Sequence, residues 1–330
     1  MRETIATFFG AQTDFVLFFY GVAFMLLGAV CFDSAGIGAR EEGWVTLGLF
    51  GYAHGALGWM ELLSLIVGDD LYFMAIRVAV LTASFLLLLE FARIELTRLG
   101  HGPPDRWIHG MLALLVGAIG VTAGLPAASA VARYVGFVAS AASCWALARR
   151  AEAHSGDARR FKAFAAAGFA LLAIADGLVV RPAPFWPANV VDTEAFAAAT
   201  GTPIELWRGC IGCWLAFSVW SIRRNRLALE LASRRYTEHL RSQFVWTLTA
   251  IGLILVGGWA LTDLLGEIYE RRVASEAHGD LDLLSSRLAR ESGALEGMTK
   301  TLAGSPSIRA AAQSDRLGSD EKARRVLELH

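Results

Sequence analysis

Apolar runs of about 20 residues recur along this chain, and a run of that length with so few polar positions is stable as a helix inside lipid. They fall at about 15–32, 44–67, 71–92, 107–124, 127–148, 161–180, 204–222 and 244–265, eight in all. The fourth and fifth are separated only by Leu125-Pro126, the shortest of the divisions. A composition of 55% hydrophobic residues and a mean hydropathy of +0.46 agree with this pattern and exclude an ordinary soluble domain. The fold class expected is all-α: a polytopic bundle of about eight transmembrane helices, followed by a partial external helical segment.

Charge position then sets direction, although the formal net charge is only -1. Arg40 lies between runs one and two, and Arg93, Arg98 and Arg106 lie between or beside three and four. Arg149, Arg150, Arg159, Arg160 and Lys162 follow run five. Arg223, Arg224, Arg226, Arg234, Arg235 and Arg241 precede run eight. The opposite loops carry only Arg2 and Arg181, so the positive-inside rule places both termini outside the membrane. Trp44, Trp107, Trp145, Trp220 and Trp246 mark the inner ends, and Trp207 and Trp259 the outer ones. The expected organisation is a seven-span bundle over 1–243, an eighth span at 244–265 and an external segment over 266–330. Within the basic segment 223–243, Leu227, Leu231 and Leu240 suit an amphipathic helix on the anionic inner surface. These arginines are a membrane anchor and not a nucleic-acid patch.

Ionisable residues inside the runs are expensive in hydrocarbon, at about 2.5–3.5 kcal/mol each on insertion scales, so they pair or face water. Glu61, Arg77, Arg133, Asp176, Glu205, Arg208 and Asp263 all fall toward the outer ends, where they can line one pocket for a small ligand. Glu61 and Arg77, at similar depth on adjacent antiparallel runs, are the first pair expected. Glu205, Arg208 and Asp263 are also readable as residues of the interface layer, and the others as structural ion pairs. His54 is the one imidazole in mid-run; its expected role is a hydrogen-bonded packing residue, with metal, haem or proton binding as the alternatives. Glu90 and Glu95 pair locally with arginines of a solvated inner helix end. Gly51-x-x-x-Gly55 and Gly120-x-x-x-Gly124 allow close helix approach, for packing within the bundle in preference to dimer contact. Cys210-Ile211-Gly212-Cys213 lacks the further Cys or His that a metal site needs, and no structural disulfide is expected.

Beyond Glu267 the pattern becomes that of one long amphipathic helix. Leu281, Leu284, Leu288, Leu295, Met298 and Leu302 lie at three- and four-residue steps, suited to packing on a partner helix. Ser305-Pro306 and Ser319-Asp320-Glu321 start two shorter helices, and an apolar pattern without strands to cover it suggests that a sheet-containing domain follows.

Two stretches carry a resemblance. Asp14-Phe-Val-Leu-Phe-Phe-Tyr-Gly-Val-Ala-Phe-Met-Leu-Leu-Gly28 followed by Gly51-Tyr-Ala-His54-Gly-Ala-Leu-Gly-Trp59-Met-Glu61 resembles the multi-helix membrane input region of bacterial sensor histidine kinases and diguanylate cyclases. The tail, with Leu302-Ala-Gly-Ser-Pro306-Ser-Ile308-Arg and Ala323-Arg-Arg-Val326-Leu-Glu-Leu329, looks like the opening of a double-Cache external sensor. The resemblance implies a homodimeric receptor of the two-component system, a small-molecule ligand outside, and a response regulator as cytoplasmic partner. ATP and magnesium are implied only for a kinase domain elsewhere, and none of these residues implies a cofactor. No phosphoacceptor box, ATP-binding Asn or Gly box, or GGDEF-type run is present, and Glu238-His239-Leu240-Arg241 lacks the helical hairpin of a phosphoacceptor. The alternative function is a transporter or channel with an outer-side charged substrate site. No nucleophile and base arrangement supports an intramembrane enzyme.

Overall fold

The computed structural model describes residues 9–10, 12–35, 42–183, 185–231, 281 and 283–301, with isolated positions further on. The chain divides into two compact units, Met1–Gly258 and Trp259–His330. Among the described residues the protein is all-helical, and in place of a strand there is a single bridge between Val180 and Asp192. The first unit comprises α1 (Thr13–Ala35), α2 (Glu42–Val67), α3 (Leu71–Arg98), α4 (Trp107–Ala123), α5 (Leu125–Glu152) and α6 (Gly156–Leu172). The last runs directly into a π-helical turn, Ala173–Leu178, and is followed by the short α7 (Thr193–Thr200) and by α8 (Ile204–Leu231).

This is a membrane protein. Thr13–Ser34, Leu71–Arg98, Leu125–Glu152 and the continuous Gly156–Leu178 are long and apolar enough to cross a bilayer, whereas the apolar α4 is shorter. The expected eighth span at 244–265, and with it the boundary between bundle and external segment, lies outside the described residues.

Contacts run from α1 to α2, α3, α5, α6 and α8 in turn and back to α1, so six helices close a ring. Tyr20, Phe24, Leu27, Phe50, Phe85, Phe91, Phe169, Leu172 and Leu215 fill it. Helix α4 packs on the outside against α5 and, more lightly, α3. Of its residues only Val116 is buried, while Leu114 and Val121 are 76% and 89% exposed, the signature of a helix whose apolar surface meets lipid. The short division between runs four and five is real: Gly124 takes φ +90°, a conformation that costs an L side chain energy, and Pro126 occupies the first turn of α5.

Glycine sets the spacing of α1 and α2. A Cβ on Gly51 would lie 2.6 Å from the Gly28 nitrogen and 2.8 Å from the Phe24 carbonyl oxygen, and one on Gly55 would lie 2.8 Å from the Gly21 carbonyl. The Gly51-x-x-x-Gly55 motif therefore packs helices within one chain. Because backbone cannot move aside as a side-chain tip can, Gly51→Ala is expected to lower stability by about 1–3 kcal/mol. Gly117→Ala on α4, where nothing lies within 4 Å, is expected to be neutral or slightly stabilising in the same denaturation assay.

Two elements differ from the sequence reading. Run seven was expected to end at 222, but α8 continues to Leu231, so the basic segment begins as the same helix; its remainder to 243 lies outside the described residues. Run six was expected as regular helix, yet its last turn widens into the π-helix. In the second unit, 283–301 is helical, and Leu284, Leu288, Leu295 and Met298 of the expected seam are 56–66% exposed. Leu302 and most of the two shorter helices expected after Gly304 lie outside the described residues.

Candidate functional site: a buried ion network in the ring

The π-helical turn presents Asp176 to the centre of the ring, with no solvent exposure. Single-turn π segments are frequent at functional sites, because they re-aim a side chain and leave backbone carbonyls without the usual partner. Here Arg208 of α8 supplies the missing donors. Its Nε donates to the Ala175 carbonyl at 3.1 Å and its Nη2 to the Val179 carbonyl at 2.8 Å. The same Nε lies 3.1 Å from Asp176 Oδ1, so one guanidinium both caps the opened turn and neutralises the carboxylate within it.

Arg133 of α5 completes the pairing, with Nη1 2.5 Å from Asp176 Oδ1. On the other side His54 of α2 sets Nε2 2.7 Å from Oδ2. No aligned hydrogen bond reaches Oδ2. The aligned partner of Nε2 is the Tyr20 hydroxyl, also at 2.7 Å. Ser84 Oγ stands 3.1 Å from Nδ1 and donates its own proton to the Leu81 carbonyl, leaving its lone pair for the ring. Both imidazole nitrogens therefore face hydroxyl oxygens. Phe24, Phe50 and Phe85 enclose it at centroid distances of 4.7, 5.1 and 5.3 Å.

The outer members are less buried. Glu61 Oε1 is 3.7 Å from Arg133 Nη2, and Glu205 Oε1 is 3.4 Å from Arg208 Nη1. Three carboxylates thus meet two guanidiniums and one imidazole, and the set is neutral when His54 is protonated. In a low-dielectric interior such balance matters, because an unpaired charge there costs several kcal/mol.

The structure brings Glu61, Arg133, Asp176, Arg208 and His54 together and sets Arg77 apart. The expected Glu61–Arg77 pair does not form. Gly68, at φ +89°, turns the chain between α2 and α3 so that Asp69 meets Arg77 Nη2 at 2.6 Å, while Nη1 donates to Ser64 Oγ. Arg208, which could have been an interface residue, is 1% exposed, and Asp263 lies outside the described residues. Sequence reasoning missed Tyr20, Ser84 and Asp69; only Asp69 left a signal, an acid beside a turn glycine and eight positions before an arginine in an apolar run.

A second ion cluster ties the opposite helix ends. Glu95, expected in a solvated end, is 2% exposed and held by Arg98 at 2.7 Å and by Arg150 of α5. Glu90 pairs with Arg93 at 2.7 Å, and Arg106 and His109 approach it at 3.2 and 3.4 Å. Local pairing was expected; burial arises because α5 covers Glu95. Arg223 of α8 meets Asp33 of α1 at the same end.

No protein-family model, curated protein or solved structure matches this chain.

Proposed function

We propose that this chain is the membrane input region of a bacterial signal-transduction protein, a two-component sensor histidine kinase of the cytoplasmic membrane. In this reading eight spans place the arginine-rich helix ends inside. Residues 1–243 form the bundle, 244–265 the eighth span and 266–330 the start of a Cache-like external domain, the protein acting as a homodimer on a response regulator. The observation that carries the reading is the attachment of α8. Arg208 binds it to the buried network at one end, Arg223 binds it to Asp33 at the other, and the helix leads on toward the basic segment before the eighth span. A change of charge or spacing at Asp176 then acts on α8 directly, and two packings of one helix are the usual element of a membrane switch.

One observation favours the alternative, a transporter: α6 ends in a π-turn at a buried carboxylate, and irregular helix at a charged centre is a transporter device. Membrane vesicles carrying the complete natural gene product separate the two. Label from γ-labelled ATP on a histidine, altered in the Arg208→Lys protein, is expected. No kinase module in the gene and no label, with uptake of amino acids or ions by proteoliposomes, would put transport first.

A further inference from the structure

Beside the ion network, between α2, α3 and α5, lies a cavity of about 70 Å³. Leu57, Met74, Val78 and Leu81 form its apolar wall, and its polar lining is Glu61, Arg77, Ser129 and Arg181. It lies toward the helix ends remote from the arginine-rich loops, the side that the membrane reading makes external. The hydrogen-bonding capacity of its lining is unevenly spent. Arg77 is already held by Asp69 and Ser64. Among the described residues Glu61 has a single ion-pair contact, at 3.7 Å to Arg133, and its side chain is 11% exposed. Among the described residues Arg181 has no ion-pair partner, and it is exposed.

We infer that this cavity is a binding site for a small zwitterion, an α-amino acid of about the size of glycine or alanine. The ammonium would pair with Glu61 and the carboxylate with Arg181 and the Ser129 hydroxyl, with the alkyl part on Leu57 and Met74. A space of about 70 Å³ suits a small ligand and not a drug-sized one, whose sites run to roughly 300–1,000 Å³. A guanidinium and a carboxylate at one site favour a ligand that carries both charges, because a simple anion or a simple amine pairs with only one of them. The consequence for the network follows from Glu61 being shared. An ammonium that takes Glu61 draws it from Arg133, which then rests on Asp176 alone. This last step rests on the receptor reading; the binding itself does not.

Titration calorimetry of the full chain in lipid nanodiscs with glycine, alanine, acetate and methylammonium tests the site. Glycine or alanine is expected to bind, with acetate and methylammonium at least tenfold weaker. Arg181→Gln and Glu61→Gln are each expected to weaken amino-acid binding at least tenfold. Arg181 is at the surface, so its variant is expected to melt with the parent and to report on binding alone. No heat with either amino acid, acetate binding as tightly as glycine, or binding unchanged in Arg181→Gln would overturn the inference. Binding without any effect on kinase output would leave the site standing and count against the receptor reading only.

Discussion

Asp176→Ala is expected to destabilise the bundle by about 3–5 kcal/mol, the cost of removing one partner from a buried ion pair and leaving the other uncompensated. The position is severe because three cationic or protonatable groups converge on it: Arg133 at 2.5 Å, Arg208 at 3.1 Å and His54 at 2.7 Å. None has water to fall back on, since Arg133, Arg208 and His54 are 4%, 1% and 0% exposed. Asp176→Asn keeps the volume but loses the charge and is expected to retain little of the difference. Reversible denaturation in mixed micelles measures both, with fluorescence of the tryptophans as the signal. A loss below about 1 kcal/mol in either variant would mean that water or a counter-ion reaches the network, which its burial argues against. His54→Gln, which keeps polar atoms near Tyr20 but removes the imidazole from Asp176, is expected to fall between the parent and Asp176→Asn.

How far this arrangement was legible in the sequence differs by element. Among the described residues, apolar runs near 20 residues located the seven long helices, though not the short α7, because hydrophobic length is a local property that lipid enforces. Their ends were less legible: α8 passes nine residues beyond the apolar run, to Leu231, since Arg223, Arg224 and Arg226 remain good helix formers once outside hydrocarbon. Charges inside the runs drew attention to Glu61, Arg133, Asp176, Glu205 and Arg208, which meet in the network, and equally to Arg77, which does not. Pairing of some kind is what makes each tolerable there. Partner choice was not legible. Depth alone favoured Glu61 with Arg77, but the turn at Gly68 delivered Asp69 to Arg77, and helix order around the ring delivered Arg133 to Glu61. The π-turn left no periodic signal, for one wider turn barely shifts an apolar pattern. It is nevertheless what aims Asp176 inward and opens the carbonyls that Arg208 caps. Tyr20 and Ser84 were invisible for a different reason, as a hydroxyl in a membrane helix is common and only proximity to His54 gives it a part.

Arg208→Ala is expected to cost about as much as Asp176→Ala, again about 3–5 kcal/mol, but by a different division of losses. Asp176 would keep Arg133 and His54, so its charge is not abandoned. The carbonyls of Ala175 and Val179 would lose their donor inside the bundle, and an unsatisfied buried acceptor costs about 1–3 kcal/mol each. Arg208→Lys separates these parts, because a single ammonium can reach the carboxylate or a carbonyl but cannot hold the planar, three-way geometry of Nε and Nη2. It is expected to recover charge compensation and leave the turn poorly capped. The double variant Asp176→Ala with Arg208→Ala decides whether the two residues act as one unit. If they do, the pair removed together costs less than the sum of the single losses by about 0.5–3 kcal/mol, since their shared ion pair is lost in either single variant and so is counted twice in the sum. Additivity within about 0.5 kcal/mol would show instead that Arg208 serves the π-turn backbone alone. The link from Asp176 to α8 would then pass through the backbone of the turn and not through the ion pair.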